Sequence, residues 1–171
     1  RGVTINGVSK AFAMTGWRIG VMAAQPALAQ LCVKLQGQVT SGASSISQAA
    51  AVAAFAEDLA PTMEMVAAFR QRRDAGLAAL HQALPEATLE APEGAFYFFP
   101  DVSPYLGRRT PGGQVLQTAQ ALAEHALDFG VAVVPGEGFG APTCLRLSYA
   151  TDAATFAEGA HRLGLALQQL A

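Results

Sequence analysis

Asn6-Gly7-Val8-Ser9-Lys10-Ala11-Phe12-Ala13-Met14-Thr15-Gly16-Trp17-Arg18-Ile19-Gly20 is the densest stretch of this chain. It follows Val3-Thr4-Ile5, a β-branched run that reads as a strand closed by Gly7. A second strand is expected over residues 17–24 (WRIGVMAA), entered through Thr15-Gly16. Lys10 therefore stands at a strand end among small and apolar residues. An amine in that setting loses hydration, which favours its neutral form and suits it to covalent chemistry on a carbonyl. Arg18 opens the second strand, and its planar fork suits bidentate recognition of a phosphate. Spacing alone is a weak signal, because a lysine and an arginine beside a turn are most often solvated.

Working outward, Pro26 sits where proline is tolerated, at the start of a helix over about residues 27–36. Residues 37–45 read as a polar, glycine-containing loop. Residues 47–84 are alanine-rich and helical in pattern, with Pro61 expected to kink or split them. The second part carries Met63, Val66, Phe69, Leu77, Leu80 and Leu84 as an apolar stripe, with Arg70 and Arg73 among them. It reads as a helix connecting two lobes. Beyond Pro85 the grammar changes: an aromatic strand over 95–100 (AFYFFP), a loop over 104–113, and a helix over 114–129 stopped by Gly130. Strands over 131–134 and 144–149 flank the loop 135–143, and Asp152 caps a last helix reaching about Leu170. Strands interleaved with helices make an α/β or α+β arrangement.

The 171 residues are 51% hydrophobic and only 14% charged, against roughly 25% charged in an average soluble domain. That balance excludes disorder and provides ample core. The net charge of -2 argues against a nucleic-acid footprint. Between Ile19 and Ala56 the only charge is Lys34, but polar interruptions exclude a bilayer span, so the stretch reads as buried protein–protein surface. No signal sequence is evident, and Cys32 and Cys144 lack metal-ligand spacing. Two reduced, buried thiols in a cytoplasmic protein are expected. The chain opens on Arg1 with a strand already under way, which reads as a fragment of something longer.

Taken together, Ser9-Lys10-Ala-Phe-Ala-Met-Thr-Gly-Trp-Arg18-Ile-Gly20 resembles the cofactor-lysine segment of the class I/II aminotransferases, the fold-type I pyridoxal phosphate (PLP) enzymes. In wording it is nearest the bacterial aspartate aminotransferase subgroup. The resemblance continues in order. Ser44–Gln48 (SSISQ) precedes the alanine-rich helix, Glu93-Gly-Ala-Phe-Tyr97 is similar to the small-domain strand entry, and Val134-Pro-Gly-Glu-Gly-Phe-Gly140 leads into Leu145-Arg146-Leu-Ser-Tyr149. All of it falls on roughly the second half of the family's usual chain.

The resemblance implies an α/β fold: the end of the large PLP-binding domain with the start of the connecting helix over residues 1–65, and the α/β small carboxyl-terminal domain over 66–171. It implies that Lys10 bonds to PLP and later shuttles a proton at the substrate's Cα. It implies that Arg18 binds the PLP phosphate and Arg146 the substrate α-carboxylate, with no metal. The activity implied is transfer of an amino group between an amino acid and a 2-oxo acid, leaning to aspartate, within amino-acid metabolism. A homodimer with a shared active site is implied, residues 38–45 approaching the neighbour's cofactor. Gly7 stands where some relatives carry a phosphate-touching serine. The family's pyridine-pairing aspartate, its asparagine and tyrosine near the ring oxygen, its stacking aromatic and its glycine-rich phosphate turn have no counterpart here.

Other readings are weaker. A PLP-dependent C–S lyase on the same fold, or a non-catalytic regulator or remnant, would share these residues. Gly136-x-Gly138-x-x-Ala141 matches a dinucleotide fingerprint but precedes a strand rather than a helix. His81, His125 and His161 are scattered over helices without ligand spacing. Ser41, Ser44 and Ser45 occupy a polar turn, so a serine hydrolase has no support. The aromatics 96–99 are expected to be packing residues. For Arg146 alone, the plain alternative is a structural ion pair.

Overall fold

The structure is a computed structural model describing residues 2–56 and 58–171. The chain divides into two compact units, Arg1–Met65 and Val66–Ala171.

In the first unit, β1 (Thr4–Gly7) pairs antiparallel with β2 (Gly20–Ala23), and Gly7 faces Gly20 where the loop between them closes. A Cβ on Gly7 would lie 3.3 Å from the Ile19 carbonyl oxygen, so a side chain there would crowd the closure. The second strand is shorter than expected. Residues Thr15–Trp17 instead form a 3-10 turn, and Arg18 after it is left-handed (φ 55°). Helix α1 (Pro26–Val39) runs past Gly37, so the polar loop expected from residue 37 is only a short turn after Val39. Turn residues Ser41 and Gly42 have φ of 62° and 123°.

Of the two outcomes expected at Pro61, the segment is split rather than kinked. The alanine-rich segment is two helices, α2 (Ser45–Ala56) and α3 (Ala60–Ala83), and Pro61 occupies the first turn of α3, where its missing N–H costs no hydrogen bond. The Asp58 carboxylate accepts from the Ala60 N–H at that helix start.

The first unit has a small core. Among its described residues only Val8, Met14, Ile19 and Ala51 are buried, with Phe12, Ala50 and Ala54 packed on them. Helix α1 buries nothing: Leu31, Val33, Leu35 and Val39 are each at least 66% exposed.

The second unit holds a three-stranded antiparallel sheet in the order β3 (Tyr97–Phe98), β5 (Leu145–Ser148), β4 (Val134–Pro135). The aromatic strand and the strand ending at Val134 are thus shorter than the sequence promised. Helix α4 is only Ala119–Leu127, because Arg109 and Val115 bridge as extended chain and Thr118 caps the helix by accepting from the Ala121 N–H. Gly130 ends it in the left-handed region (φ 74°), as expected. Asp152 caps α5 (Ala153–Gln168), accepting from the Thr155 N–H at 2.9 Å.

The core gathers Leu80 and Leu84 from around the end of α3, Phe98 of β3, Leu122 of α4, Leu145 and Leu147 of β5, and Leu163 and Leu167 of α5. The α3 stripe is only partly used: Leu80 and Leu84 are buried, whereas Met63 is exposed. Gly76 and Gly164 permit close packing, since a Cβ on Gly76 would meet the Phe98 ring at 2.9 Å and one on Gly164 the Ala83 carbonyl oxygen at 3.1 Å. Cys32 and Cys144 are half-buried free thiols rather than fully buried ones, and burial pushes the Cys144 thiol up. Among the described residues no helix is long and apolar enough to cross a membrane.

Candidate active site

The hairpin β1–β2 fixes both ends of the loop that carries Lys10 and Arg18. Inside it, Val8, Met14 and Ile19 bury their side chains beside Ala51 of α2, which pins the loop at three points. Local hydrogen bonds do the rest. The Thr15 hydroxyl donates to the Ser9 carbonyl at 3.0 Å, and Arg18 donates from Nη1 to the Thr15 carbonyl at 3.0 Å. The Ala13 N–H donates to the Lys10 carbonyl at 3.2 Å. Thr15 thus ties the turn containing Lys10 to the turn containing Arg18. Ala13 and Arg18 both adopt positive φ (53° and 55°), a conformation that costs a non-glycine residue about 1 kcal/mol or more. That cost is borne where the loop must turn to present its two cations.

One expectation needs correction. Lys10 is exposed, as is Arg18, so this loop does not supply the apolar enclosure inferred from its neighbours. The buried neighbours point inward to hold the loop, and the lysine lies on its outer surface.

Arg146 belongs to the second unit. Strand β5 alternates: Leu145 and Leu147 enter the core, while Arg146 and Ser148 face away from it. In β3, Tyr97 opposes Ser148, and in β4 Val134 opposes Arg146. Tyr97, Arg146 and Val134 therefore share the sheet face turned from the core. Among the described residues, no carboxylate pairs with Arg146. Its guanidinium carbon lies instead 4.5 Å from the centre of the Tyr97 ring and 4.6 Å from that of Phe139.

The two rings are firmly placed. Tyr97 packs on Phe96 with centroids 4.5 Å apart, and Phe139 meets Phe99 edge-on at 6.0 Å. Phe139 ends the 3-10 turn Gly136–Phe139, closed by Gly140 at φ 75°. A Cβ on Gly136 would lie 2.1 Å from the Ala141 carbonyl oxygen, so only glycine fits the base of that turn. The aromatics read from sequence as packing residues divide in two: Phe98 is core, and Tyr97 lies beside Arg146. Phe139 enters the sequence reading only as part of the run Val134–Gly140, with no role of its own. The strand register places Tyr97 on the face of Arg146, whereas Phe139 arrives there by the fold of a loop whose sequence gives it no periodicity.

Three other arginines are held in ion pairs. Arg108 pairs with Glu86 and stacks on Tyr105 at 5.0 Å, Arg73 with Asp74, and Arg162 with Glu158. The Arg108 pair ties the loop over 104–113 to Glu86 at a partly exposed site. His125 approaches the Ala166 carbonyl and packs on Phe129. Among the described residues no three metal-ligating side chains cluster.

A family profile described as aminotransferase class I and II matches residues 2–163. The chain belongs to that family. An aspartate aminotransferase of Pinus pinaster is 46% identical over 89% of this chain and 32% of its own length. One from Rhizobium meliloti strain 1021 is 42% identical over 99% of this chain and 42% of its own. Among solved structures, the crystal structure of the aspartate aminotransferase from Rhizobium meliloti superposes with a TM-score of 0.93 at 40% identity, covering 99% of this chain and 42% of that one. An aromatic aminotransferase from Pyrococcus horikoshii OT3 gives 0.84 at 32% identity, covering 97% and 42%. The chain thus spans about a third to two-fifths of the length of these class I and II aminotransferases. Its fold is that of the fold-type I enzymes, mixed helix and sheet.

Proposed function

We propose that this chain forms part of a PLP-dependent aminotransferase that moves an amino group between an amino acid, with aspartate favoured, and a 2-oxo acid. The observation that carries the proposal is the closed β1–β2 loop, which holds Lys10 and Arg18 eight residues apart with Thr15 bonded to the Ser9 carbonyl and Arg18 to the Thr15 carbonyl, in a chain about 40–46% identical to aspartate aminotransferases. The donor set fits the cofactor, since PLP offers an aldehyde to an amine and a phosphate to a guanidinium. When bound, PLP supplies an electron sink for the charge released at the substrate's Cα. Lys10 Nζ would hold the aldehyde carbon and then take and return the proton at that Cα. Arg18 would hold the phosphate. Arg146 would pair its planar fork with the substrate α-carboxylate and orient the Cα–H bond.

The same reading assigns residues 1–65 to the cofactor-binding domain and 66–171 to the small domain, in keeping with the two compact units. It also makes the protein a cytoplasmic homodimer, with residues 38–45 reaching toward the neighbour's site. The uncovered apolar face of α1 supports a partner surface there.

The test is a coupled assay. Aspartate and 2-oxoglutarate should yield oxaloacetate and glutamate, and Lys10→Ala should abolish turnover while leaving the fold intact by circular dichroism. Release of pyruvate, ammonia and a thiol from a β-thio amino acid such as cystathionine, with no amino transfer from aspartate, would overturn the transaminase reading in favour of an elimination. Full turnover in Lys10→Ala would remove the lysine from the chemistry.

A further inference from the structure

We infer that Tyr97 and Phe139 are positioning residues that set the carboxylate selectivity of Arg146, an inference that rests on the substrate-binding reading of that arginine. The argument starts from what Arg146 lacks. It is half-buried on the sheet face turned from the core, and no carboxylate among the described residues neutralises it. A structural arginine in such a place is ordinarily paired with an acid. Here the charge is met by two aromatic faces, 4.5 and 4.6 Å from its guanidinium carbon.

The chemical consequence differs from that of an ion pair. A ring face carries negative quadrupole density and attracts the cation, but it accepts no strong hydrogen bond from the N–H fork. The charge is stabilised while the donors stay available. A carboxylate partner would have occupied those donors and competed with any ligand. The flanking rings also restrict approach, favouring a flat acceptor that meets the guanidinium along its N–H edge. A planar carboxylate matches that edge, whereas a carboxamide offers one acceptor oxygen and an N–H₂ that repels the fork.

The two rings come from separate parts of the chain, so their joint placement requires the fold. Tyr97 is delivered by β3 and lies on the face of Ser148 and Arg146. Phe139 is delivered by the 3-10 turn whose base admits only Gly136 and whose end is the left-handed Gly140. Phe139 is 52% exposed, although it stacks on a charged group and, among the described residues, meets one other ring, that of Phe99. A large aromatic left that open, yet held by a turn that depends on two glycines, contributes little to the core and much to the arginine.

The experiment uses the holoenzyme and two readouts: calorimetric Kd for succinate, a non-reacting dicarboxylate, and KM and kcat for aspartate against aspartate α-amide. Phe139→Leu and Tyr97→Leu should each weaken succinate binding by about tenfold and raise KM for aspartate similarly, with kcat changed less than about threefold. Both should narrow the preference for aspartate over its α-amide. Tyr97→Phe, which keeps the ring, should restore all three values. Melting curves identify any variant whose fold has failed, and Phe139→Tyr then serves as the second ring-retaining comparison. Succinate binding and selectivity unchanged in both leucine variants, with Arg146→Ala strongly impaired, would overturn the inference while leaving Arg146 in its role. Succinate binding unchanged in Arg146→Ala would overturn the role of Arg146 and the inference with it.

Discussion

Replacing Gly136 by alanine tests the architecture around Arg146 most directly. The added Cβ would sit 2.1 Å from the Ala141 carbonyl oxygen and 2.8 Å from that of Cys144. Both are backbone atoms, so no rotamer change relieves the contact. The Ala141 oxygen would have to retreat by about 1 Å to reach ordinary contact, a displacement typical of costly overpacking. Two hydrogen bonds are at stake: the Gly136 N–H to the Cys144 carbonyl at 2.8 Å and the Ala141 N–H to the Gly136 carbonyl at 3.1 Å. Overpacking of this kind costs about 1–3 kcal/mol, and each loosened hydrogen bond up to about 1 kcal/mol more. We expect about 3 kcal/mol in total, seen as a fall of on the order of 10 °C in the melting midpoint of the second unit. Gly138 is the internal comparison. It lies in the same turn, and a Cβ there would meet nothing within 4 Å, so Gly138→Ala should stay within about 0.5 kcal/mol of the parent. Urea unfolding followed by circular dichroism measures both. A Gly136→Ala protein within about 0.5 kcal/mol of the parent would refute the steric argument. So would equal losses in the two variants, which would point to a general helix or turn effect.

Three further outcomes follow from the same geometry. Leu163→Ala removes a fully buried side chain of α5 and should cost about 3 kcal/mol by urea unfolding, since the surrounding core can collapse only in part. At Asp152, the hydrogen bonds from Thr155, hydroxyl first and then backbone N–H, hold the carboxyl below its ordinary value. A depressed folded-state pKa makes the cap's contribution complete above the ordinary carboxylate range, and it is lost as pH falls through the lower folded value. The melting difference between the parent and Asp152→Ala should therefore be constant above the ordinary carboxylate range and shrink as pH falls below it; a difference independent of pH would mean the charge is not what caps the helix. Finally, the exposed Leu31, Val33, Leu35 and Val39 should make the isolated chain self-associate in light scattering, and Val33→Glu with Leu35→Glu should reduce it. A monodisperse monomer of the parent would contradict that.

What the sequence determined by itself is what short-range chemistry controls. The strand ending at Gly7, the stop at Gly130, the cap at Asp152 and Pro26 in the first turn of α1 all rest on local dihedral or hydrogen-bond preferences. Lys10, Arg18 and Arg146 were legible as candidates because their residue types sit in an ordered run of motifs. Tertiary structure decided the rest. Residues 114–118 read as helix, yet the Leu116 N–H finds its acceptor in the Arg108 carbonyl, a partner that only the folded loop supplies. Lys10 has apolar neighbours in sequence, but Val8 and Met14 turn inward against α2 and leave the lysine outside, because a short hairpin loop cannot bury both. Arg146 shows the division most clearly. Its alternation with Leu145 and Leu147 is written in the sequence, and so is the face it takes. The two rings that meet its charge come from a strand and a turn on either side, and only the antiparallel register and a close approach at Gly136 bring them together.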